Sequence, residues 1–203
     1  TDVVQNGILK LDLDFVRPAR RPGPLRILHV ARLDSVKRQD VTLRALRRLL
    51  DAGIDARVEF CGKGGDKPMF TAIADELGLQ PHVDWLGVVP EADVHERMLT
   101  ADALILPSDS EGTSIALLEA IALGLPCIVS DVGDSGRVMR AAPRWIIGRS
   151  DVDGATRALT DLARDPGTAF ATAERVKMDV RARYGRQAMI EAYRAIYERA
   201  TGR

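Results

Sequence analysis

Residues 103–130 read ALILPSDSEGTSIALLEAIALGLPCIVS. The apolar run Ala103–Leu106 is stopped by Pro107, as expected of a short buried strand. A helical stretch near Ile115–Leu123 follows, and Gly124 stops it. Cys127–Ser130 then repeats the short apolar run. Neither run has a polar face. Strand, helix and strand in this pattern predict two parallel strands, joined by a crossover helix and covered on both sides.

The same rhythm extends in both directions. Upstream, Arg26–Ala31 is a continuous apolar strand, and Gln39–Leu50 places Leu43, Leu46, Leu49 and Leu50 on one helical face. Ala56–Cys61 is a second strand, ended by Gly62, Gly64 and Gly65. Met69–Leu77 is helical up to Gly78, His82–Leu86 is a third strand, and Ala92–Ala101 is a helix. Downstream, Arg144–Ile147 gives a sixth strand, and helices near Val152–Arg164, Ala169–Tyr184 and Gln187–Ala200 close the chain. About six strands in this rhythm predict a single α/β domain, a Rossmann-like doubly wound parallel sheet of order 3-2-1-4-5-6. Strands 1 and 4 are then neighbours where the winding reverses, and a ligand is expected beyond their carboxyl ends.

Composition narrows the function classes. The 203 residues are 46% hydrophobic and 29% charged, with a formal net charge of zero. A balanced charge argues against a general nucleic-acid binder, which carries a basic excess on one face. The lysines are Lys10, Lys37, Lys63, Lys67 and Lys177, none in a persuasive buried position by sequence. Cys61 and Cys127 sit in apolar runs and are expected to be buried, reduced thiols. Three scattered histidines make no zinc spacing, so no metal site is expected, and with reduced thiols a cytoplasmic setting is expected. Ile115–Val129 is interrupted by Glu119, Gly124 and Pro126 and is too short to cross a bilayer. The stretch Arg17–Pro24, RPARRPGP, reads as a linker or an ordered extended arm.

Both switch-point loops hold unusual chemistry. The first reads ARLDSVKRQD and puts Arg32 and Lys37 just past a strand end, where two cations suit a diphosphate. The alternative is an Arg32–Asp34 pair. In the second loop Thr113 or Ser114 can cap the following helix, leaving the N–H groups of Ile115 and Ala116 to hold an anion. Glu119 is the only charge in that helix, and a helix apolar on every side must be buried on every side. Such a carboxylate needs a partner, either an arginine or a ligand diol such as a ribose 2′,3′-hydroxyl pair. Glu111, beside Gly112, lies eight residues earlier. Gly62 and Gly64 form a turn that could bring backbone close to a ligand.

Together these segments resemble the family-four retaining glycosyltransferases of the glycosyltransferase B fold. HVARLDSVK, EFCGKGG, WLGVVP and the two-glutamate segment PSDSEGTSIALLEAIALGLPCIVSDVG carry the resemblance in order, and VQNGI at Val4–Ile8 is similar to the segment ending the acceptor domain. Two places depart from it. Arg38 stands where a glycine commonly follows the basic-loop lysine, and Asp134 and Arg137 lie where a Pro-Glu pair is usual.

The resemblance implies that Arg32 and Lys37 hold the donor diphosphate, Glu111 the sugar hydroxyls and Glu119 the ribose. It further implies that backbone near Val88 receives the base and that Ser114, Ile115 and Ala116 receive a phosphate. Residues 1–24 are then an N-terminal arm or interdomain linker remnant, and residues 25–203 the nucleotide-sugar-binding domain with its C-terminal helices. A chain beginning on Thr1 and lacking an acceptor domain is expected to be half of such an enzyme, inactive alone. The implied reaction moves a hexose-type sugar, with retention, from a UDP or GDP donor to an acceptor in polysaccharide or glycolipid synthesis. No cofactor and no obligatory metal are implied, and contact with the inner face of a membrane through the other domain is left open. A non-catalytic nucleotide-sugar-binding module and a nucleotide-sugar epimerase are the alternative functions.

Overall fold

Short apolar runs closed by proline or glycine become the strands of one sheet. The computed structural model describes Arg17, residues 22–184 and residues 186–201. Val4–Ile8 and most of the 1–24 arm lie outside them. The strands are β1 (Leu25–Val30), β2 (Ala56–Cys61), β3 (Val83–Gly87), β4 (Ala103–Leu106), β5 (Cys127–Ser130) and β6 (Ile146–Ile147). They pair in the order β3-β2-β1-β4-β5-β6, every pair parallel. This is the doubly wound order expected.

β4 and β5 are buried at every position, so both faces of the sheet centre are covered. The helices are α1 (Gln39–Asp51), α2 (Lys67–Glu76), α3 (Glu91–Thr100), α4 (Ile115–Ala122), α5 (Ser135–Val138), α6 (Val152–Arg164), α7 (Pro166–Tyr184) and α8 (Arg186–Thr201), of which α1, α3, α4, α5 and α6 pack on the strands. α1 packs against α2 and α6, while α4 packs against α3 and α7. α6 illustrates how sequence sets an element. The Asp151 carboxylate accepts the Gly154 N–H at 2.7 Å and starts the helix. Ala155, Ala158, Leu159 and Leu162, at helical spacing, are its buried stripe.

The sixth strand is shorter than predicted. Pro143 opens a 3₁₀ turn over Pro143–Trp145, leaving only Ile146–Ile147 to pair with β5. Proline has no N–H for a ladder and fixes φ near the helical value, which explains the lost residues. The arm does touch the domain at Arg17. Its guanidinium donates to the carbonyls of Ala101 and Leu123, at the ends of α3 and α4, and lies 5.7 Å from the Phe170 ring. β1 and β4 are neighbours, with Ile27 opposite Ala103 and Leu28 opposite Leu104. Their carboxyl ends face the same side, and the site lies there.

Candidate functional site

Past Val30 the chain makes a 3₁₀ turn over Ser35–Lys37 and enters α1 through Arg38, whose backbone is left-handed (φ 53°, ψ 47°). Gln39 Nε2 donates to the Arg32 carbonyl at 2.7 Å, and the Ser35 N–H donates to Asp66 Oδ2 at 2.7 Å. Gly62 and Gly64 press on this loop. A Cβ at Gly62 would stand 1.9 Å from the Ala31 carbonyl oxygen, and one at Gly64 1.9 Å from that of Leu33. The close approach these glycines permit is therefore to the chain's own backbone, and they hold the loop that carries Arg32 and Lys37. Arg32 pairs with Asp34 at 3.0 Å and remains largely exposed.

Lys37 reaches the other loop. Its Nζ lies 2.8 Å from Glu111 Oε1, with the side chains only 15% and 12% exposed. Ser108 Oγ donates to the same carboxylate oxygen at 2.8 Å, and the Asp109 N–H donates to the Val36 carbonyl at 2.8 Å. Ser130 Oγ at the end of β5 donates to the Ser108 carbonyl. Gly133 backs the Glu111 segment, since a Cβ there would meet the Glu111 carbonyl oxygen at 1.9 Å. Thr113 Oγ1 donates to Asp134 Oδ2 at 2.7 Å, and Arg137 lies 3.3 Å from Asp134 Oδ1. Asp134 thus ties its loop to the loop after β4, while Arg137 pairs with Asp134 within its own segment.

Ser114 caps α4, its hydroxyl accepting the Leu117 N–H at 3.3 Å. That leaves the first N–H groups of the helix, at Ile115 and Ala116, at its open positive end. The expectation that this helix is buried on every side is corrected. Ile115 is 62% exposed and the Glu119 side chain 21% exposed, because the first turn and one flank of α4 are open to solvent. Among the described residues no arginine pairs with Glu119. The nearest basic group is His95 on α3, Nε2 to Oε1 at 3.5 Å, an ion pair only when that imidazole is protonated.

Sequence reasoning missed His95. With Glu91 it gives three ligand-type atoms, from Glu91, His95 and Glu119, all within 4.8 Å of one another, a set able to hold a metal ion. The available signal was the i, i+4 spacing of Glu91 and His95, which puts both on one helical face. Glu119 comes from another helix, so no linear spacing reveals the trio. Val88, just past β3, is exposed; the preceding Gly87 has φ 68° and its carbonyl accepts the Gly62 N–H at 2.7 Å.

Behind the first loop, His29 of β1 is fully buried, with Nδ1 3.1 Å from Thr42 Oγ1 and its ring 5.2 Å from that of Phe60. Burial, aided by the Lys37 charge, pushes its pKa down to about 3, so this imidazole is neutral. Cys61 and Cys127 are free and buried, and burial pushes both thiols upward, Cys61 to about 11. Lys177 corrects another expectation: it is buried, with Glu174 at 3.8 Å. It lies on α7, away from the switch point. A cavity of about 420 Å³ bordered by Pro143, Arg144, Trp145, Asp161 and Thr168 lies before the edge strand β6 and at the end of α6, and includes none of these loop residues. Among the described residues no helix is long and apolar enough to cross a membrane.

The sequence has a match among known families. The family model described as "Glycosyl transferases group 1" matches residues 12–183. The chain belongs to that family. Among its glycosyl transferase relatives, the D-inositol 3-phosphate glycosyltransferase of Mycobacterium avium (strain 104) is 30% identical over 211 residues, covering 98% of this chain and 49% of that protein. The chain spans about half the length of the curated relatives it matches. Sucrose-phosphate synthase from Thermosynechococcus elongatus superposes with a TM-score of 0.82 at 17% identity, over 98% of this chain and 52% of that one. Anabaena HepE, solved in complex with UDP, does so with a TM-score of 0.76 at 16% identity, over 89% and 49%. These likenesses establish the fold, a Rossmann-like half of the glycosyltransferase B architecture.

Proposed function

We propose that this chain is the nucleotide-sugar-binding half of a retaining glycosyltransferase, with the acceptor bound by another part of a longer protein. One observation carries the proposal. Lys37 and Glu111, 74 positions apart in sequence, meet at 2.8 Å at the switch point, beside the open end of α4. A cation, a carboxylate and helix N–H groups at one end of the sheet suit the three chemistries of a sugar diphosphate: hydroxyls, phosphates and a leaving anion.

Lys37 and Arg32 contact the diphosphate, the N–H groups of Ile115 and Ala116 share its charge, Glu111 accepts from the sugar hydroxyls, and Glu119 accepts from the ribose hydroxyls. Backbone at Val88 borders the base. In the reaction the bond between the anomeric carbon and the diphosphate oxygen breaks, and the electron pair leaves with the phosphate. The acceptor oxygen bonds to the same face, and its proton passes to the departing phosphate. The cations and helix N–H groups stabilise the charge that develops. UDP or GDP carries the hexose, and an acceptor of polysaccharide or glycolipid type fits the family. The UDP bound to HepE supports a nucleotide-sugar donor.

The test is calorimetric titration of UDP, GDP and the corresponding nucleosides. Removing a hydrogen-bonded charge costs about 1.5–3 kcal/mol, roughly tenfold or more in Kd. Lys37→Ala is expected to weaken the diphosphates by that factor and leave the nucleosides unchanged, whereas Glu119→Gln weakens both. A folded sample that binds neither UDP nor GDP removes the proposal.

A further inference from the structure

Left-handed backbone at a residue other than glycine costs roughly 1–2 kcal/mol and persists only where surrounding contacts enforce it. Among the described residues two non-glycine positions have it, Arg38 (φ 53°) and Ser150 (φ 54°), and they touch each other. The Arg38 guanidinium holds Asp40 in a two-pronged contact, Nε to Oδ1 and Nη2 to Oδ2 both at 2.9 Å. Its Nη1 donates to Asp109 Oδ2 at 3.1 Å and to Ser150 Oγ. One side chain therefore joins three segments: the loop after β1, the loop after β4, and the turn entering α6. The carboxylates of Asp40 and Asp109 hold this guanidinium firmly in its charged form.

We propose that Arg38 is a positioning residue for the diphosphate site, acting through its neighbour Lys37. The inference rests on the donor-binding function proposed above. Without ligand, the two loops are joined by Lys37–Glu111, by Arg38–Asp109 and by the Asp109 N–H to Val36. A bound diphosphate and sugar draw Lys37 and Glu111 to themselves and dissolve the first link. The Arg38–Asp109 link is not consumed by the ligand. It keeps the loops in register, and the Lys37 amine aimed, while the substrate replaces the internal pair. The forced backbone at Arg38 is the local cost of placing that guanidinium directly after the binding lysine.

The experiment is a pair of double-mutant cycles on the 203-residue chain, read by titration with UDP and GDP. Arg38→Gly keeps the left-handed turn open to the backbone, so the thermal midpoint stays close to wild type. It is expected to raise Kd about tenfold in the Lys37 background and less than about twofold when Lys37 is already alanine. Asp109→Asn separates positioning from bulk charge. Losing Arg38 makes the site more negative, and losing the Asp109 charge makes it more positive. A positioning link predicts that both variants weaken binding, and that neither does so once Lys37 is gone. Tighter binding by Asp109→Asn, or an Arg38→Gly loss of equal size in both backgrounds, overturns the proposal. If Lys37→Ala weakens binding while Arg38→Gly does not, the inference alone fails. If wild type binds neither nucleotide, the donor function fails and takes the inference with it.

Discussion

Alanine at two adjacent glycines should have opposite effects. At Gly64 the added Cβ would stand 1.9 Å from the Leu33 carbonyl oxygen, 2.5 Å from its carbon and 2.8 Å from the Leu33 nitrogen. All three are backbone atoms, so no side chain can swing away. Carbon and oxygen approach no nearer than about 3 Å, so one backbone segment must move by roughly 1 Å, a distortion of the overpacking kind that costs about 1–3 kcal/mol. At Gly65 a Cβ meets nothing within 4 Å and φ is not in the left-handed region. Alanine there stabilises by about 0.4–1 kcal/mol through the unfolded chain. In a domain of this size 1 kcal/mol moves the thermal midpoint by about 2–4 °C. Gly64→Ala should therefore lower Tm by several degrees, while Gly65→Ala leaves it level or higher. Because Leu33 lies between Arg32 and Lys37, Gly64→Ala should also weaken UDP or GDP by a factor its stability loss does not account for. Calorimetric melting and titration of both variants provide the assay. Equal midpoints and affinities for the two alanines would refute the claim that Gly64 is a contact glycine and Gly65 a bystander.

Two further outcomes are expected. Ser114→Ala removes the cap of α4 and should cost about 1 kcal/mol, visible as a lower urea midpoint, with Ser114→Gly losing less. His29 gives stability a pH slope. The folded state refuses a proton until about pH 3, while the unfolded chain takes one up near 6.5, so stability falls as pH drops through that window. The limiting slope is about 1.4 kcal/mol per pH unit for this one group. His29→Phe should flatten the dependence between pH 6.5 and 4 in urea titrations; parallel slopes for the two proteins would sink the assignment.

Strand positions were legible because apolar runs between breakers leave few alternatives: β2, β4 and β5 begin and end where the runs do. Their order followed from the strand–helix rhythm. Two kinds of information were hidden. Burial depends on what neighbours leave open, so an all-apolar segment suggested a fully enclosed α4 although Ile115 faces solvent. Partnerships across elements have no linear spacing, so Glu119 could be assigned a need for a partner but not His95 as its nearest basic group. The glycines show the same limit. Their requirement was readable as close approach, but the approaching group, the backbone at Ala31 and Leu33, required coordinates.

Both cations proposed for the donor already have a partner in the unliganded chain: Arg32 has Asp34, and Lys37 has Glu111. Binding is then an exchange of partners, in which the ligand must better an existing contact at each point. The two contacts differ in what they resist. Arg32–Asp34 is exposed and contributes little, so that cation is free to move at small cost. Lys37–Glu111 is largely withdrawn from water, and a ligand that engaged only one member would strand the other as a buried, unpaired charge. A ligand carrying both an anion for Lys37 and a donor hydroxyl for Glu111 avoids that penalty; a bare nucleoside diphosphate does not. On the proposed function, this largely buried pair would discriminate by demanding both ends of a sugar diphosphate at once. A nucleotide sugar should accordingly bind more tightly than its diphosphate by more than the sugar's own contacts provide, and Glu111→Gln, which removes the stranded charge, should narrow that gap.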